Sequence, residues 1–448
     1  MSSQPGSPPN GSSNTPSNAP SNVPWVDVQH GLVSRDIFVS DDIYRLEMQR
    51  IFDRNWLFLA HETEIPKAGD FVSRTMGQIP VVVVRDTDGG VYALLNSCRH
   101  RGAKVCRADS GNARHFVCPY HGWTYERSGR LMTTTFDKHF PQGFDFSQFG
   151  LARVPRLEIH KGLIFGSWNV DIQSLSDYLG DIAWYIDPFL SRSPGGMEVL
   201  APPHRWRAKA NWKVGALNFV GDSQHILTTH IGPLTLDPVR AARAGFATAA
   251  ENSFQVVTDQ GHGCTLTYLA PGLPEDAYQT HPRELEPLYR QIIDGEQLKL
   301  LDRLRVIVGT IFPNLSFIET QVGPAQKAVI IRQWQPVSGT EMEVLSWVLA
   351  EKEASQDYKD TVLRKGFHNF GAAGVFEQDD LELWASATYA SNNAIAKQFP
   401  YSFHTALPYI DKPEKDHKWP GRAYKPADTE VAQLEFMRQW DRCMKSNQ

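Results

Sequence analysis

Two short stretches limit what this chain can fold into more than anything else in it. "CRHRG" at 98–102 and "CPYHGW" at 118–123 each place one cysteine and one histidine within a few residues of each other. The pattern is Cys98-x-His100, seventeen intervening residues, then Cys118-x2-His121. A zinc finger usually takes two cysteines from one knuckle and two histidines from one helix, whereas here each loop gives one of each. That interleaving suits an object with two metals. In a 2Fe–2S centre of Rieske type, two thiolates hold one iron and two imidazoles the other, so each loop can serve both irons. Neutral imidazole in place of thiolate also raises the potential and makes the centre a better electron acceptor. Gly102, Pro119 and Gly122 fit loops whose backbone has to approach the sulfides closely. The alternatives are a structural zinc ion, which would leave the protein colourless, or chance neighbours. Cys106, Cys264 and Cys443 have no partner at ligand spacing and read as idle thiols.

Five cysteines in 448 residues are odd in number and sparse, which argues against a disulfide scaffold and for a reducing compartment. A formal net charge of -5 gives no surplus of Lys and Arg, so neither a nucleic-acid partner nor an anionic membrane surface is expected. The longest apolar runs, such as "VLSWVLA" at 344–350, fall well short of the roughly 18 residues of a span. With no basic-then-apolar leader at the start, the expected location is cytoplasmic.

Residues 1–24 are Ser, Pro, Asn and Gly with little to bury, and read as a disordered tail. Residues 25–54 contain a helix that Ser40 would cap, and this segment is expected to join the catalytic domain. The rhythm then changes to "FVSRT", "PVVVV" and "VYALLN", with "DTDGG" as a hairpin turn and Ser128-Gly129 as the next, giving a small β domain over 55–165. Residues 170–448 mix strands and helices. "FPNLSFIETQ", "KAVIIRQWQP" and "MEVLSWVLAEK" read as successive strands. "RELEPLYRQIIDGEQLKLLDRLRVIV", "EASQDYKDTVLRKGFHNF" and "TEVAQLEFMRQWDRCMK" read as helices. The expected class is α+β: a small β Rieske 2Fe–2S domain plus a larger catalytic domain with an antiparallel sheet surrounded by helices. No dinucleotide fingerprint is present, since "GHGCTL" at 261–266 lacks the third glycine.

"NFVGDSQHILTTH" places Asn218, Asp222, His225 and His230 in thirteen residues. At roughly 100° per residue the first three share one helical face while His230 is turned about 140° from His225. For both imidazoles to meet one ion, the helix must end or widen near Leu227 to Thr229. Two histidines and one carboxylate would make a facial triad with open positions for O2 at Fe(II). Asp222 is one candidate carboxylate, though it could sit behind an imidazole instead. The acids of "FGAAGVFEQDD" at 370–380 are another source. A centre that delivers single electrons and an oxygen-activating iron belong together in one chain.

Taken in order from about residue 40 to about 390, "CRHRGA…CPYHGWTY", "NWKVGALNFVGDSQHILTTH" and "FGAAGVFEQDD" resemble the large (α) subunits of Rieske non-haem iron ring-hydroxylating oxygenases of the naphthalene dioxygenase type. The resemblance implies a terminal oxygenase that converts an aromatic compound, a polycyclic hydrocarbon or an aromatic carboxylate, to a cis-dihydrodiol. O2 is the co-substrate, and the electrons come from NAD(P)H through a separate ferredoxin and reductase. It implies His225, His230 and Asp380 as the ligands of the mononuclear iron, with Asp379 as the runner-up carboxylate. It makes Asp222 a bridge from His225 to His121 of a neighbouring copy, and a small β subunit the usual partner in an α3β3 assembly. It also implies a substrate pocket lined by Asn218, Phe219, Leu234, Phe370 and Phe376. A carboxylate substrate would call for an arginine such as Arg240, Arg243 or Arg332. Arg99, Arg101, Lys104 and Arg107 around the first loop are either a solvated face or a docking patch for an acidic ferredoxin. A Rieske monooxygenase that hydroxylates or demethylates an aromatic acid is the alternative activity, and a pure electron carrier would not need the second half of the chain.

Overall fold

The computed structural model describes residues 24–232, 253–268, 282–323 and 326–446. Leu234, Arg240, Arg243 and the tail through residue 23 lie outside the described residues. Near the start, the Ser40 hydroxyl accepts from the Ile43 N–H and caps a helix at Asp41–Glu47, which continues as a wider turn over Met48–Phe52. The segment is anchored by Glu47, which is fully buried. Its carboxylate accepts from the indole N–H groups of Trp212 at 2.9 Å and Trp440 at 2.7 Å and pairs with Lys213 at 2.5 Å. A buried anion needs such company, and this one joins residues from the start, middle and end of the chain.

Short strands follow. Asp70–Met76, Ile79–Arg85, Val91–Leu95 and Ser110–Asn112 form one four-stranded sheet, and Phe116–Val117, Thr124–Tyr125 and Leu131–Thr133 a smaller one. The hairpin after Arg85 turns at "DTDGG" with Gly89 at φ 84°. A third sheet pairs Leu163–Ser167 with both Leu57–His61 and Arg156–His160.

The rest is built on a nine-stranded sheet in which every recorded pairing is antiparallel. In its interior Gln326–Pro336 runs between Leu315–Gly323 and Met342–Glu351. Helices cover the face that Ala328, Ile330, Arg332 and Trp334 share by strand alternation. Trp334 meets Phe219 of the helix Trp212–Gly221 at 5.2 Å and Trp384 of the helix Glu377–Ser391 at 5.6 Å, ring centre to ring centre. One helical expectation is corrected: after helices at Glu286–Ile292 and Gly295–Leu301, the residues Leu304–Ile311 are a strand. Val306, Ile307 and Val308 are β-branched and pair along Gly263–Tyr268 on one side, and Ile307 onward along Leu315–Gly323 on the other, so sheet pairing overrides the helical pattern. Among the described residues, no helix is long and apolar enough to cross a membrane.

Candidate metal centres

The two Cys/His loops are closed in the same way. The Cys98 N–H donates to the Ala103 carbonyl at 2.9 Å and the Gly102 N–H to the Cys98 carbonyl at 2.8 Å; the Cys118 N–H donates to Trp123 at 2.8 Å and the Gly122 N–H to Cys118 at 3.0 Å. Each glycine sits at positive φ, 76° and 69°, which an L side chain rarely adopts. At Gly102 an added Cβ would meet only the Ser97 hydroxyl, at 3.8 Å, so among the protein's own atoms it is the backbone conformation that asks for glycine there. Both thiols are buried, and the Cys98 sulfur lies 3.2 Å from the Tyr125 hydroxyl. Burial, together with the Cys98 thiol beside it, holds the Cys118 thiol above its ordinary value. The two imidazoles meet edge to face at 4.5 Å, His100 stacks on Trp123 at 5.0 Å, and the Nδ1 of His100 is buried without a partner. Two sulfurs on one side and two imidazoles on the other suit a two-iron cluster better than a single tetrahedral ion.

The second site grows from the end of the Trp212–Gly221 helix. Asn211 caps its start, accepting from the Lys213 N–H at 3.1 Å. The helix stops at Gly221, because the Gln255 amide takes the Gly221 carbonyl at 2.8 Å and Asp222 leaves the helical region at ψ 82°. Asp222 then accepts from the His225 N–H at 3.4 Å, opening a short 3-10 turn at Gln224–Leu227. The expected break near 227–229 is therefore corrected to 222–223. Asn218, Asp222 and His225 come together across the helix end rather than along one helical face.

The carboxylates arrive from the opposite element. The helix Gln356–Phe370 ends in "FGAAGVFEQDD", where Gly371 and Gly374 allow a tight corner: a Cβ on Gly374 would lie 2.7 Å from the Asn369 carbonyl. Glu377, Asp379 and Asp380 then occupy the first turn of the next helix, where the dipole favours negative charge. Asp380 faces the Nε2 atoms of both imidazoles, 3.7 Å from His225 and 3.6 Å from His230. Behind them, Asp222 lies 3.4 Å from the Nδ1 of His225 and Asp379 3.6 Å from the Nδ1 of His230. Neither of these two is aligned as a hydrogen bond. Burial pushes the His225 imidazole down, but the Asp222 and Asp380 carboxylates outweigh it and hold it above its ordinary value. Among the described residues, His225, His230 and Asp380 are the one group of three or more such donors close enough to share an ion, all within 4.8 Å. Three converging donors and two unpartnered buried Nδ1 atoms fit a facial-triad metal.

Residues 175–446 match the family model of the ring-hydroxylating alpha subunit catalytic domain, and residues 55–142 that of the Rieske [2Fe-2S] domain. The chain belongs to the ring-hydroxylating alpha-subunit family. Among similar proteins, the biphenyl 2,3-dioxygenase alpha subunit of Rhodococcus jostii (strain RHA1) is 33% identical over 94% of this chain and 90% of its own length. The N,N-dimethyl phenylurea N-demethylase alpha subunit of Sphingobium sp. (strain YBL2) is 32% identical over 94% of this chain and 93% of its own. The crystal structure of naphthalene 1,2-dioxygenase from Rhodococcus sp. bound to indole superposes with a TM-score of 0.87 at 35% identity, covering 93% of this chain and 95% of that one. As a member of this family, the ring-hydroxylating alpha subunit carries a Rieske 2Fe–2S cluster and a mononuclear iron, uses O2, and is an oxidoreductase of the dioxygenase kind.

Around the second site of this alpha subunit, Phe376 meets the His230 ring edge-on at 5.2 Å and stacks on Phe370 at 5.6 Å. Phe219 packs one layer away, on Trp334 and Arg332. Asn218 places its amide nitrogen 3.4 Å from the His225 Nε2. Arg332 pairs with Glu377 at 2.5 Å and donates to the Phe370 carbonyl at 2.6 Å. Sequence reasoning missed the place of Asp379 behind His230, and it missed the Arg332–Glu377 pair. The one available signal was "FEQDD" itself, three acids in four residues where a single ligand needs one.

Proposed function

We propose that Cys98 and Cys118 hold one iron of the Rieske cluster and His100 and His121 the other, and that His225, His230 and Asp380 hold the mononuclear iron. The observation that carries the reading is the convergence of two Nε2 atoms on one carboxylate beside the ring of Phe376. When bound, the cluster supplies single electrons and the mononuclear iron activates O2 for insertion into an aromatic ring. The protein's own residues do the rest. Asp222 and Asp379 favour the proton on the Nδ1 side of each imidazole, which leaves both Nε2 lone pairs free for metal. Phe370 and Phe376 form an apolar wall that suits a flat ring and keeps water away, and Asn218 adds a polar group at the rim.

The substrate is an aromatic compound and the product its cis-dihydrodiol, with the described residues favouring a neutral hydrocarbon over an aromatic carboxylate. Support comes from Arg332: of the arginines considered for a substrate carboxylate it is the one among the described residues, and Glu377 already neutralises it. Electrons come from NAD(P)H through a separate reductase and ferredoxin, with Arg99, Arg101, Lys104 and Arg107, all exposed, as the docking patch for an acidic carrier. A small β subunit completes an α3β3 assembly. The test supplies both carriers, 18O2 and a panel of arenes and aromatic acids. Dihydrodiols with two labelled oxygens are expected, with three irons per chain. Products holding a single labelled oxygen, or released formaldehyde, would instead support monooxygenation, the second reading that likeness to the phenylurea N-demethylase subunit favours.

A further inference from the structure

We propose that Arg332 is the positioning residue for the iron carboxylate: from an interior strand of the large sheet it holds both sides of the 370–377 corner, and so sets where Asp380 points. The inference rests on the reading of His225, His230 and Asp380 as iron ligands. Arg332 lies in the Gln326–Pro336 strand, paired to Ser316 on one side and Ser346 on the other, so its backbone is held by strands on both sides. Its guanidinium is 1% exposed and is walled by the rings of Phe219 at 5.2 Å, Trp206 and Trp334 at 5.6 Å, and Phe370 at 5.9 Å.

Among the described residues, every hydrogen-bonding contact of the guanidinium runs to the corner. One goes to the Phe370 carbonyl, the last residue of the incoming helix, and one to Glu377, the first residue of the outgoing helix, while Nε has no acceptor. A planar guanidinium fixes two partners in one orientation, which an ammonium does not. Glu377 stands three residues before Asp380 on the same helical face, so turning the Glu377 end of that helix swings the iron carboxylate with it. Arg332 also balances the buried charge of Glu377, 1% exposed, next to a second carboxylate that has to remain an anion. The ring of Phe370 rests on the same guanidinium and stacks on Phe376, so the proposed substrate wall and the iron carboxylate share one support.

The experiment uses the assembled protein. Its mononuclear iron is stripped with a mild chelator and refilled with Fe(II), and iron per chain, cluster absorbance and melting temperature are followed. Wild type is expected to keep its cluster colour and refill from two irons to three. In Arg332→Met the cluster absorbance stays and the Fe(II) dissociation constant for the third iron rises at least 10-fold, with Arg332→Lys between the two. The double variant Arg332→Met/Glu377→Met removes both charges together, so its melting temperature recovers while its weak iron binding does not. A double variant that refills like wild type would show that Arg332 only balances charge, and overturns the positioning role. So would a single Arg332→Met that refills normally. If that variant does not fold, Glu377→Gln carries the test, with a several-fold weaker third iron expected and unchanged affinity counting against the proposal. A wild type that never takes up a third iron overturns the ligand reading itself, a different failure from the others.

Discussion

At the scale of single residues, a histidine outside both metal centres shows how far burial alone can act. His262 is fully buried, with Nε2 2.7 Å from the Tyr178 carbonyl and Nδ1 accepting the Phe312 N–H at 2.9 Å. The ring is thus a neutral tautomer with both nitrogens used, and burial pulls its pKa from 6.5 to about 4. In the unfolded chain it takes a proton near 6.5, so between there and about pH 4 the unfolded state binds more protons than the folded one. Stability from this residue is complete above that window and falls as the pH drops through it, by about 3 kcal/mol at the acid end. His262→Gln should lower stability at neutral pH yet flatten the pH dependence. Urea midpoints of both proteins at pH 7 and pH 5 decide it, and an equal loss in the two would exclude His262 as the cause.

At the scale of elements, the helix that leads into His225 is positioned by close packing on the sheet. A Cβ on Gly215 would lie 2.5–2.8 Å from the ring of Trp334, which is fully buried and whose Nε1–H donates to the Ser316 hydroxyl at 2.7 Å. Neither partner can yield easily. Gly215→Ala would raise helix propensity by roughly 1 kcal/mol, but overpacking costs about 1–3 kcal/mol, and a net loss is expected in the denaturation midpoint. A more stable Gly215→Ala would mean that the helix has room to slide.

The same element shows what the sequence could and could not convey. Both motifs were legible, because a metal ligand must be a particular residue type at a particular spacing. The point where the helix ends was not, since it is decided by Gln255, a distant amide that takes the Gly221 carbonyl. The strand at Leu304–Ile311 was read as helix for a related reason: its partners lie elsewhere in the chain, and periodicity over so short a run is ambiguous. The Arg332–Glu377 contact, 45 residues apart in sequence, left no local trace at all.

At the scale of the whole molecule, the family resemblance implies an electron path that runs between copies rather than within one. Asp222 backs His225 and keeps 35% of its side-chain surface open, and the resemblance has an imidazole of a neighbouring copy, His121, meet it. Asp222→Ala is expected to retain three irons per chain and the trimer while turnover falls at least 100-fold. Full activity in that variant would rule out the bridge. Turnover lost together with the third iron would mean instead that Asp222 supports the ligand histidine alone.

The buried Glu47, shared by Lys213, Trp212 and Trp440, has a practical consequence for anyone building hybrids from relatives of this chain. A cut placed just ahead of the cluster-bearing sheets would pair the opening helix of one parent with the closing helix of another and, where the parents differ at these positions, leave an uncompensated anion or cation in the interior. Grafts that carry residues 24–52 along with everything after 170 keep that contact within a single lineage, and should be the ones that express.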